Sequence, residues 1–517
     1  MTPASSFYIT TPIYYVTGKP HIGNAYTTLA ADIAARFQRL CGQDVFFLTG
    51  TDEHGQKVLE AAKKQGLPPQ ALADEVVQNF HALNRLLQVT PNDFIRTTEE
   101  RHRQVVLAFL QKVYDRGDIY LGEYEDWYCL PCEAFYTQTQ LIHGKCPSCQ
   151  RDVQKLKEES YFFRMSNYEK ALLEHLHRHA EFVQPETRRN EVIRFVESGL
   201  KDLSISRTTI DWGIPVPNFE KTQKKHVLYV WFDALINYLS GIDYLKNPSQ
   251  FELYWNTATH LVGKDILRFH AVYWPCMLLS VGLPLPKRIF AHGWITHGSQ
   301  KMSKSRENAL DPFALVEKYG LDPVRYYFFK EIPFGLDGEF SDTTFIHRTN
   351  SDLANDLGNL LSRSTQMVLN YCEGKTPAIP QNFSEEDEAL KHLAHHVITE
   401  TQRHMDQLAF SKALSEIWKL IRTCNQYLEN KAPWKLAKEH KKEEVDRTLY
   451  ICLETLRIVA LLTSAFMPTS SQKIWNALGI SKNIEIQRLE SESPWGQLPQ
   501  GLTVQKGEAL FPRIATP

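Results

Sequence analysis

FYITTPIYYVTGKPHIGNAYTTLAADIAARFQRL, residues 7–40, decides how the fold is read. Phe7 to Thr11 is a short strand-like run. Pro12, Gly18 and Pro20 make the next stretch rich in turns, and Ala25 to Leu40 then repeats apolar residues at helical spacing. Strand, loop and helix in that order begin a β-α alternation. A second apolar run, Asp44 to Leu48, leads into Thr49-Gly50-Thr51-Asp52-Glu53-His54-Gly55 and another helical stretch. Alternation of this kind predicts an open parallel sheet of the Rossmann-like α/β class, with ligands at the carboxyl ends of the strands.

Downstream, the alternation breaks from about Gly117 to Lys225, where tryptophan, tyrosine, cysteines and mixed charge replace it. It resumes at His226 to Val230. Thr259 to Val262 and Arg288 to Ala291 are further strand candidates, and the sheet is expected to finish near Trp294. From about Ser351 helical spacing dominates: Leu353, Leu357, Leu360, Leu361, Met367, Val368 and Tyr371 fall on one stripe, and Pro377 to Ser384 reads as a loop between helices. The expected organisation is a first sheet half over 1–116, an insertion over 117–225, a second sheet half over 226–297, a linker region over 298–350 and an α-helical bundle over 351–517.

At 517 residues the chain exceeds what one core usually serves, which agrees with two or three domains of about 100 to 200 residues. Hydrophobic content of 43% with 23% charged residues argues against disorder. The net charge of -2 offers nucleic acid no general attraction, so any such partner must meet local basic patches. No apolar run reaches the roughly 18 residues of a membrane span, and Met1 to Ser6 lacks a signal-peptide core, so a cytoplasmic protein is expected. The chain stops soon after the bundle, with no appended dimerising domain, and a monomer is expected.

Five of the nine cysteines (Cys41, Cys276, Cys372, Cys424, Cys452) are scattered through apolar segments and read as reduced thiols. The other four form Cys129-x2-Cys132 and Cys146-x2-Cys149, separated by thirteen residues. That spacing suits tetrahedral thiolate coordination of one Zn2+. Four sulfurs leave no open position, so the metal is expected to be structural.

Two further motifs point to phosphate chemistry. His21-Ile22-Gly23-Asn24 stands where the first strand-like run turns into a helix, so backbone N–H groups, the helix dipole and His21 are placed to meet phosphate oxygens, with Gly23 allowing close approach. Lys301-Met302-Ser303-Lys304-Ser305 lies in a polar loop and supplies two ammonium groups for charge developing as pyrophosphate departs. Together they resemble the paired signatures of class I aminoacyl-tRNA synthetases. That family's first signature usually ends in histidine; Asn24 puts a neutral donor there.

Thr11-Pro12-Ile13-Tyr14-Tyr15, Gly50-Thr51-Asp52-Glu53-His54 and Tyr229-Val230-Trp231-Phe232-Asp233-Ala234 resemble segments of methionyl-tRNA synthetases, and the resemblance spans nearly the whole chain. It implies ATP-dependent activation of L-methionine and transfer to tRNA(Met), with Mg2+ accompanying ATP. Carried over by position, His21, Lys301 and Lys304 would be catalytic, and Gly23, Asn24, Gly263, Asp265, His292, Gly293 and Ser303 would meet ATP. Ile13, Tyr15, Val230, Trp231, Ala234, Tyr238, Ile266 and His270 would line the methionine side chain. Asp52 would hold the ammonium: an acid at the end of a predicted strand is costly to bury unless a cation or donors meet it.

The same family places anticodon reading on Asn359, Arg363 and Trp434. Asn359 and Arg363 lie one turn apart opposite the leucine stripe and are expected to face solvent, and Pro433-Trp434 offers an aromatic platform. Rival readings remain at this stage: another class I synthetase, a small-molecule adenylyltransferase, or a zinc-stabilised RNA-binding protein. An insertion of about 110 residues is small for a separate editing domain, and a bare RNA-binding module leaves Asp52 and both phosphate motifs without purpose.

Overall fold

The structure is a computed structural model that describes residues 5–136, 138–220, 222–297, 300–301 and 310–515. Two compact units make up the chain. A sheet unit takes Ser6–Ala31 and Phe46–His292; a helical unit takes Met1–Ser5, Asp32–Val45 and Gly293–Pro517.

The sheet unit is built on seven strands in the order Tyr14–Tyr15, Asp44–Asp52, Ser6–Thr10, Thr259–Gly263, Arg288–His292 and Val183–Gln184, with Asp93–Arg96 also paired to Asp44–Asp52. Ile9 stands opposite Thr259, Gly263 opposite His292, and Tyr15 opposite Asp52, all in parallel pairs. Helices cover both faces of such a sheet, so Phe47-Leu48, Leu261-Val262 and Ile289-Phe290-Ala291 are buried as continuous runs. Just beyond the first strand, Thr11 hydrogen-bonds Thr49 between hydroxyls at 2.7 Å. Tyr15 and Asp52 therefore come together at one strand end, and Gly263 and His292 at another.

The strand expected at His226–Val230 does not join this sheet. Only Val227–Leu228 is extended, and it pairs antiparallel with Ser206–Arg207. Its backbone is claimed by the insertion: Leu228 N–H donates to the Ile214 carbonyl and Tyr229 N–H to that of Ile205, after which Val230 opens a short helix to Ala234. Conversely, Val183–Gln184 from within the insertion adds to the main sheet beside Arg288–His292. Two residues are too few to show a period of two, so the sequence carries no signal for it.

The insertion has an antiparallel sheet of its own, ordered Ala134–Tyr136, Ile119–Cys129, Gln154–Phe163, Leu203–Ser204. The turn between its first two strands holds Cys129 and Cys132.

In the helical unit, the loop before Glu385–Asp406 ends in a capping box. Ser384 Oγ accepts the Asp387 N–H, and the Asp387 carboxylate accepts the Ser384 N–H at 2.8 Å. Phe410–Lys431 and Lys442–Thr463 follow, the latter buried on nearly every side. Such a helix tolerates charge only where it is matched: Glu454 binds Arg457 at 2.6 Å and accepts the N–H groups of Gly496 and Leu498, while Arg457 donates to the Glu492 carbonyl. This ties the following segment to the bundle. Leu353, Leu357, Leu360, Leu361 and Val368 are buried as the stripe predicts, with Met367 and Tyr371 half-buried. Among the described residues no helix is long and apolar enough to cross a membrane.

Candidate active site

His21 caps the helix Ile22–Leu40. Its Nδ1 accepts the Gly23 N–H at 3.0 Å, and Asn24 Oδ1 accepts the His21 N–H at 3.0 Å. Asn24 thus acts locally as an acceptor, a part a protonated histidine would not fill. A Cβ on Gly23 would stand 2.9 Å from His21 Cε1, so glycine is what lets the imidazole fold back over the first turn. Four residues on, Thr27 Oγ1 meets His292 Nε2 at 2.7 Å, and Tyr26 packs edge-on against the same ring. His292 and Gly263 are register partners, with exposed Asp265 in the turn after Gly263.

Gly293 and Lys301 belong to the helical unit. Lys301 lies in a two-residue strand, Gln300–Lys301, antiparallel to Ile295–His297. Its side chain, and the whole of Ser303 and Lys304, lie outside the described residues.

Asp52 is buried to 3% exposure, and its Oδ1 has no hydrogen-bond partner. Burial pushes its pKa well above the usual carboxylate range; the Glu133 and Asp233 carboxylates add to this, against Lys57 and the His54 N–H. The turn that follows this strand end is pinned by its neighbours. Arg96 binds both oxygens of Glu53 at 2.7 and 3.0 Å, Trp212 Nε1 donates to the Glu53 carbonyl at 2.7 Å, and Gly55 turns the chain at φ 91°. His54 Nδ1 meets Asp233 at 2.7 Å, and His102 Nε2 meets the other Asp233 oxygen at 2.7 Å. Burial would raise Asp233, but the two imidazoles hold its carboxyl at about 2. Asp233 is thus matched by its neighbours, whereas Asp52 keeps an unmatched oxygen.

An aromatic group stands in the same unit. Trp231 stacks on Phe269 with ring centres 3.9 Å apart and meets His270 edge-on at 6.0 Å; Trp231 Nε1 is buried without a partner. His270 Nε2 lies 2.7 Å from the Tyr238 hydroxyl, and its Nδ1 lies 3.0 Å from the Ile266 carbonyl. Burial lowers the His270 pKa to about 4, so the ring is neutral, donating from Nδ1 and accepting the Tyr238 proton at Nε2. Val230 and Ala234 are buried on the intervening short helix, and Ile13, Tyr15 and Ile266 pack partly buried against the same core. The chain therefore brings an unmatched carboxylate and a mostly apolar, aromatic lining into one unit, a setting for a small cation with an apolar tail.

The four knuckle sulfurs all lie within 4.8 Å of one another, with Cys129–Cys149 at 3.6 Å and Cys132–Cys146 at 3.8 Å. Four ligands at about 2.3 Å on a tetrahedron are about 3.8 Å apart, so the cluster fits Zn2+. None of the nine cysteines is in a disulfide.

In the helical unit, Asn359 is exposed at the start of Asn359–Tyr371. Arg363 departs from the expectation of a solvent-facing side chain. Its side chain is 30% exposed, and its guanidinium bonds Glu429 at 2.8 Å and lies 5.6 Å from the centre of the Trp434 ring. Trp434 follows Ala432, at φ 44°, and Pro433, which opens the next helix. The helical spacing had no means of showing that a second helix reaches Arg363.

A family model described as tRNA synthetases class I (M) matches residues 7–157 and 153–365, and one described as the anticodon binding domain of methionyl tRNA ligase matches 377–516. The chain belongs to the class I methionyl-tRNA synthetases. The methionine–tRNA ligase of Caldanaerobacter subterraneus is 48% identical to this synthetase over 511 residues, 98% of this chain and 79% of that protein. That of Thermotoga maritima is 48% identical over 512 residues, 98% and 80% of the two chains. A solved Mycobacterium tuberculosis methionyl-tRNA synthetase in complex with methionyl-adenylate matches with a TM-score of 0.93 at 42% identity, covering 98% of this chain and 100% of that one. This synthetase is a methionine–tRNA ligase.

Three residues of the site escape the sequence reading. Phe269 is hidden because stacking partners need not be periodic. Lys57 and Glu133 are hidden because charged residues usually mark solvated faces, yet Glu133 is fully buried. Its position directly after Cys132, in front of the apolar pair Ala134-Phe135, is the one signal that could have found it.

Proposed function

We propose that this synthetase seats L-methionine at the end of the Asp44–Asp52 strand, with its ammonium on Asp52 and its thioether among Ile13, Tyr15, Val230, Trp231, Ala234, Tyr238, Ile266 and His270. The observation that carries this reading is the buried Asp52 carboxylate with an unpartnered Oδ1. An ammonium forms the charge-assisted bond that this oxygen lacks, and aromatic rings suit a polarisable sulfur.

In the first step, the methionine carboxylate attacks the α-phosphorus of ATP, an oxygen–phosphorus bond forms and pyrophosphate leaves. The nucleophile is already anionic, so this reaction calls for positioning and for cations aimed at the phosphates. We assign nucleotide contact to His21, Gly23, Asn24, Gly263, Asp265, His292, Gly293 and Ser303, and charge stabilisation to Lys301 and Lys304. Mg2+ accompanies ATP and neutralises phosphate charge. In the second step, a hydroxyl of the terminal adenosine of tRNA(Met) attacks the activated carbonyl and AMP leaves. Asn359, Arg363 and Trp434 are the proposed anticodon readers, supported by the Arg363 guanidinium lying over the Trp434 ring. Cys129, Cys132, Cys146 and Cys149 would hold one zinc ion that stiffens the insertion, and free thiols in this number suit the cytoplasm.

Asp52→Asn tests the seat. Methionine-dependent pyrophosphate exchange is expected to fall by about two orders of magnitude or more, since leaving one partner of a buried ion pair unmatched costs about 3–5 kcal/mol. Unfolding by circular dichroism is expected to be little changed. A variant that binds methionine normally would remove Asp52 from the site.

A further inference from the structure

Glu133 is the residue immediately after the second knuckle cysteine, and the mechanism above leaves it unused. It sits in the left-handed region at φ 49°, where the turn Cys129–Cys132 delivers it, and it is fully buried. Its Oε1 faces the start of the helix Gln56–Gln65: it lies 3.4 Å from the Lys57 N–H and would stand 3.0 Å from a Cβ on Gly55. Its Oε2 has no hydrogen-bond partner and is 3.6 Å from Lys57 Nζ. That same Nζ lies over the Tyr15 ring, 3.9 Å from its centre, and Tyr15 is the register partner of Asp52. Tyr229, one residue before the aromatic helix, donates its hydroxyl proton to the Glu133 carbonyl at 2.5 Å.

One ammonium, Lys57, therefore stands against the buried Glu133 carboxylate and over the ring of Tyr15, whose register partner Asp52 is a second buried carboxylate, and each carboxylate has an unpartnered oxygen. Asp233, the third carboxylate nearby, is taken up by His54 and His102. With both carboxylates ionised the cluster carries one more negative charge than positive, a state that burial penalises until a further cation enters. We propose that Glu133 is a second anion for the α-ammonium of methionine, so that the zinc knuckle and amino-acid recognition meet in a single residue. This rests on the reading that Asp52 faces that ammonium. A competing role is purely structural: a carboxylate at a helix N-terminus is favourable by itself, and a glutamine there would serve nearly as well.

Calorimetric titration of the zinc-loaded full chain with methionine, and with methionine lacking its amino group, separates these roles. Glu133→Gln keeps the size and the acceptor oxygen and removes only the charge. It is expected to weaken methionine about tenfold while leaving the des-amino compound unchanged, so the preference for the amine collapses by that factor. Zinc content and melting temperature are expected to stay as in the parent chain. Lys57→Met, which leaves the knuckle untouched, is expected to raise the preference for the amine several-fold by removing the competing cation. An unchanged preference in Glu133→Gln, alongside a collapsed one in Asp52→Asn, overturns the role of Glu133 and leaves Asp52 standing. An unchanged preference in both variants overturns the Asp52 seat, and this inference with it. Should Glu133→Gln lose its zinc, the Lys57→Met result decides, and a preference that fails to rise overturns the proposal.

Discussion

Asp52 begins the reaction cycle in a setting that favours its proton: burial raises its pKa, and the Glu133 and Asp233 carboxylates raise it further. The proposed seat for the methionine ammonium needs the charged form. The sign follows directly: a group whose pKa is raised in the free enzyme and brought down by the bound ammonium gives up protons on binding, so affinity rises with pH until the raised pKa is passed. Titrations in buffers of different ionisation heats are expected to show this release in the parent chain and its loss in Asp52→Asn; binding without proton exchange would contradict the assignment. The pKa of His270 is shifted the other way. Held at about 4 against about 6.5 in an unfolded chain, it favours the folded state fully only above the unfolded value. Stability is therefore expected to fall as pH drops from about 6.5 towards 4, by up to about 3 kcal/mol from this group, and denaturation of His270→Gln should show a shallower acid slope. Asp52 was legible in the sequence because an acid at a strand end has few structural uses, whereas the tautomer of His270 depends on Ile266 and Tyr238, which only folding brings to it.

At the scale of elements, the knuckle is the clearest piece of sequence, because metal geometry constrains spacing more tightly than any propensity. About one zinc per chain is expected by elemental analysis, and Cys146→Ser is expected to lose it and to loosen the insertion sheet. Protein purified without chelator and found free of zinc would overturn this. The strands were legible where they are long: Asp44–Asp52 and Thr259–Gly263 extend close to where their apolar runs place them. His226–Val230 was misread because a run of apolar residues says that a segment is buried and not which sheet takes its hydrogen bonds. The Trp434 helix makes a further prediction. Trp434→Ala is expected to weaken tRNA charging by about 1–3 kcal/mol, the range of one base–aromatic stack, with methionine adenylation nearly untouched. Arg363→Ala should also lose discrimination against altered anticodons. Equal loss in both half-reactions would mean that the pair of side chains seen at 5.6 Å serves the fold alone.

Across the whole molecule, a helical C-terminal region was visible as a change of hydrophobic period near Ser351, but the helical unit begins already at Gly293 and also takes residues 32–45, and the sequence carried no mark for either boundary. Long periodic segments declare themselves; membership in a core depends on contacts distant in sequence. The two units also divide the proposed residues, with those of the methionine seat in one and Asn359, Arg363 and Trp434 in the other. Lys304→Ala is expected to lower turnover in pyrophosphate exchange by about 100-fold while the apparent methionine affinity stays within a few-fold, because a cation that meets transition-state charge contributes little to ground-state binding. Lost affinity with unchanged turnover would refute that. The most direct test of the central claim is amino-acid-dependent ATP–pyrophosphate exchange across a panel of methionine, leucine, isoleucine, valine and cysteine. The site around Asp52, Trp231, Tyr238 and His270 predicts strong exchange with methionine, with the others lower by about 100-fold or more; exchange driven equally well by another amino acid, or by none, would contradict it.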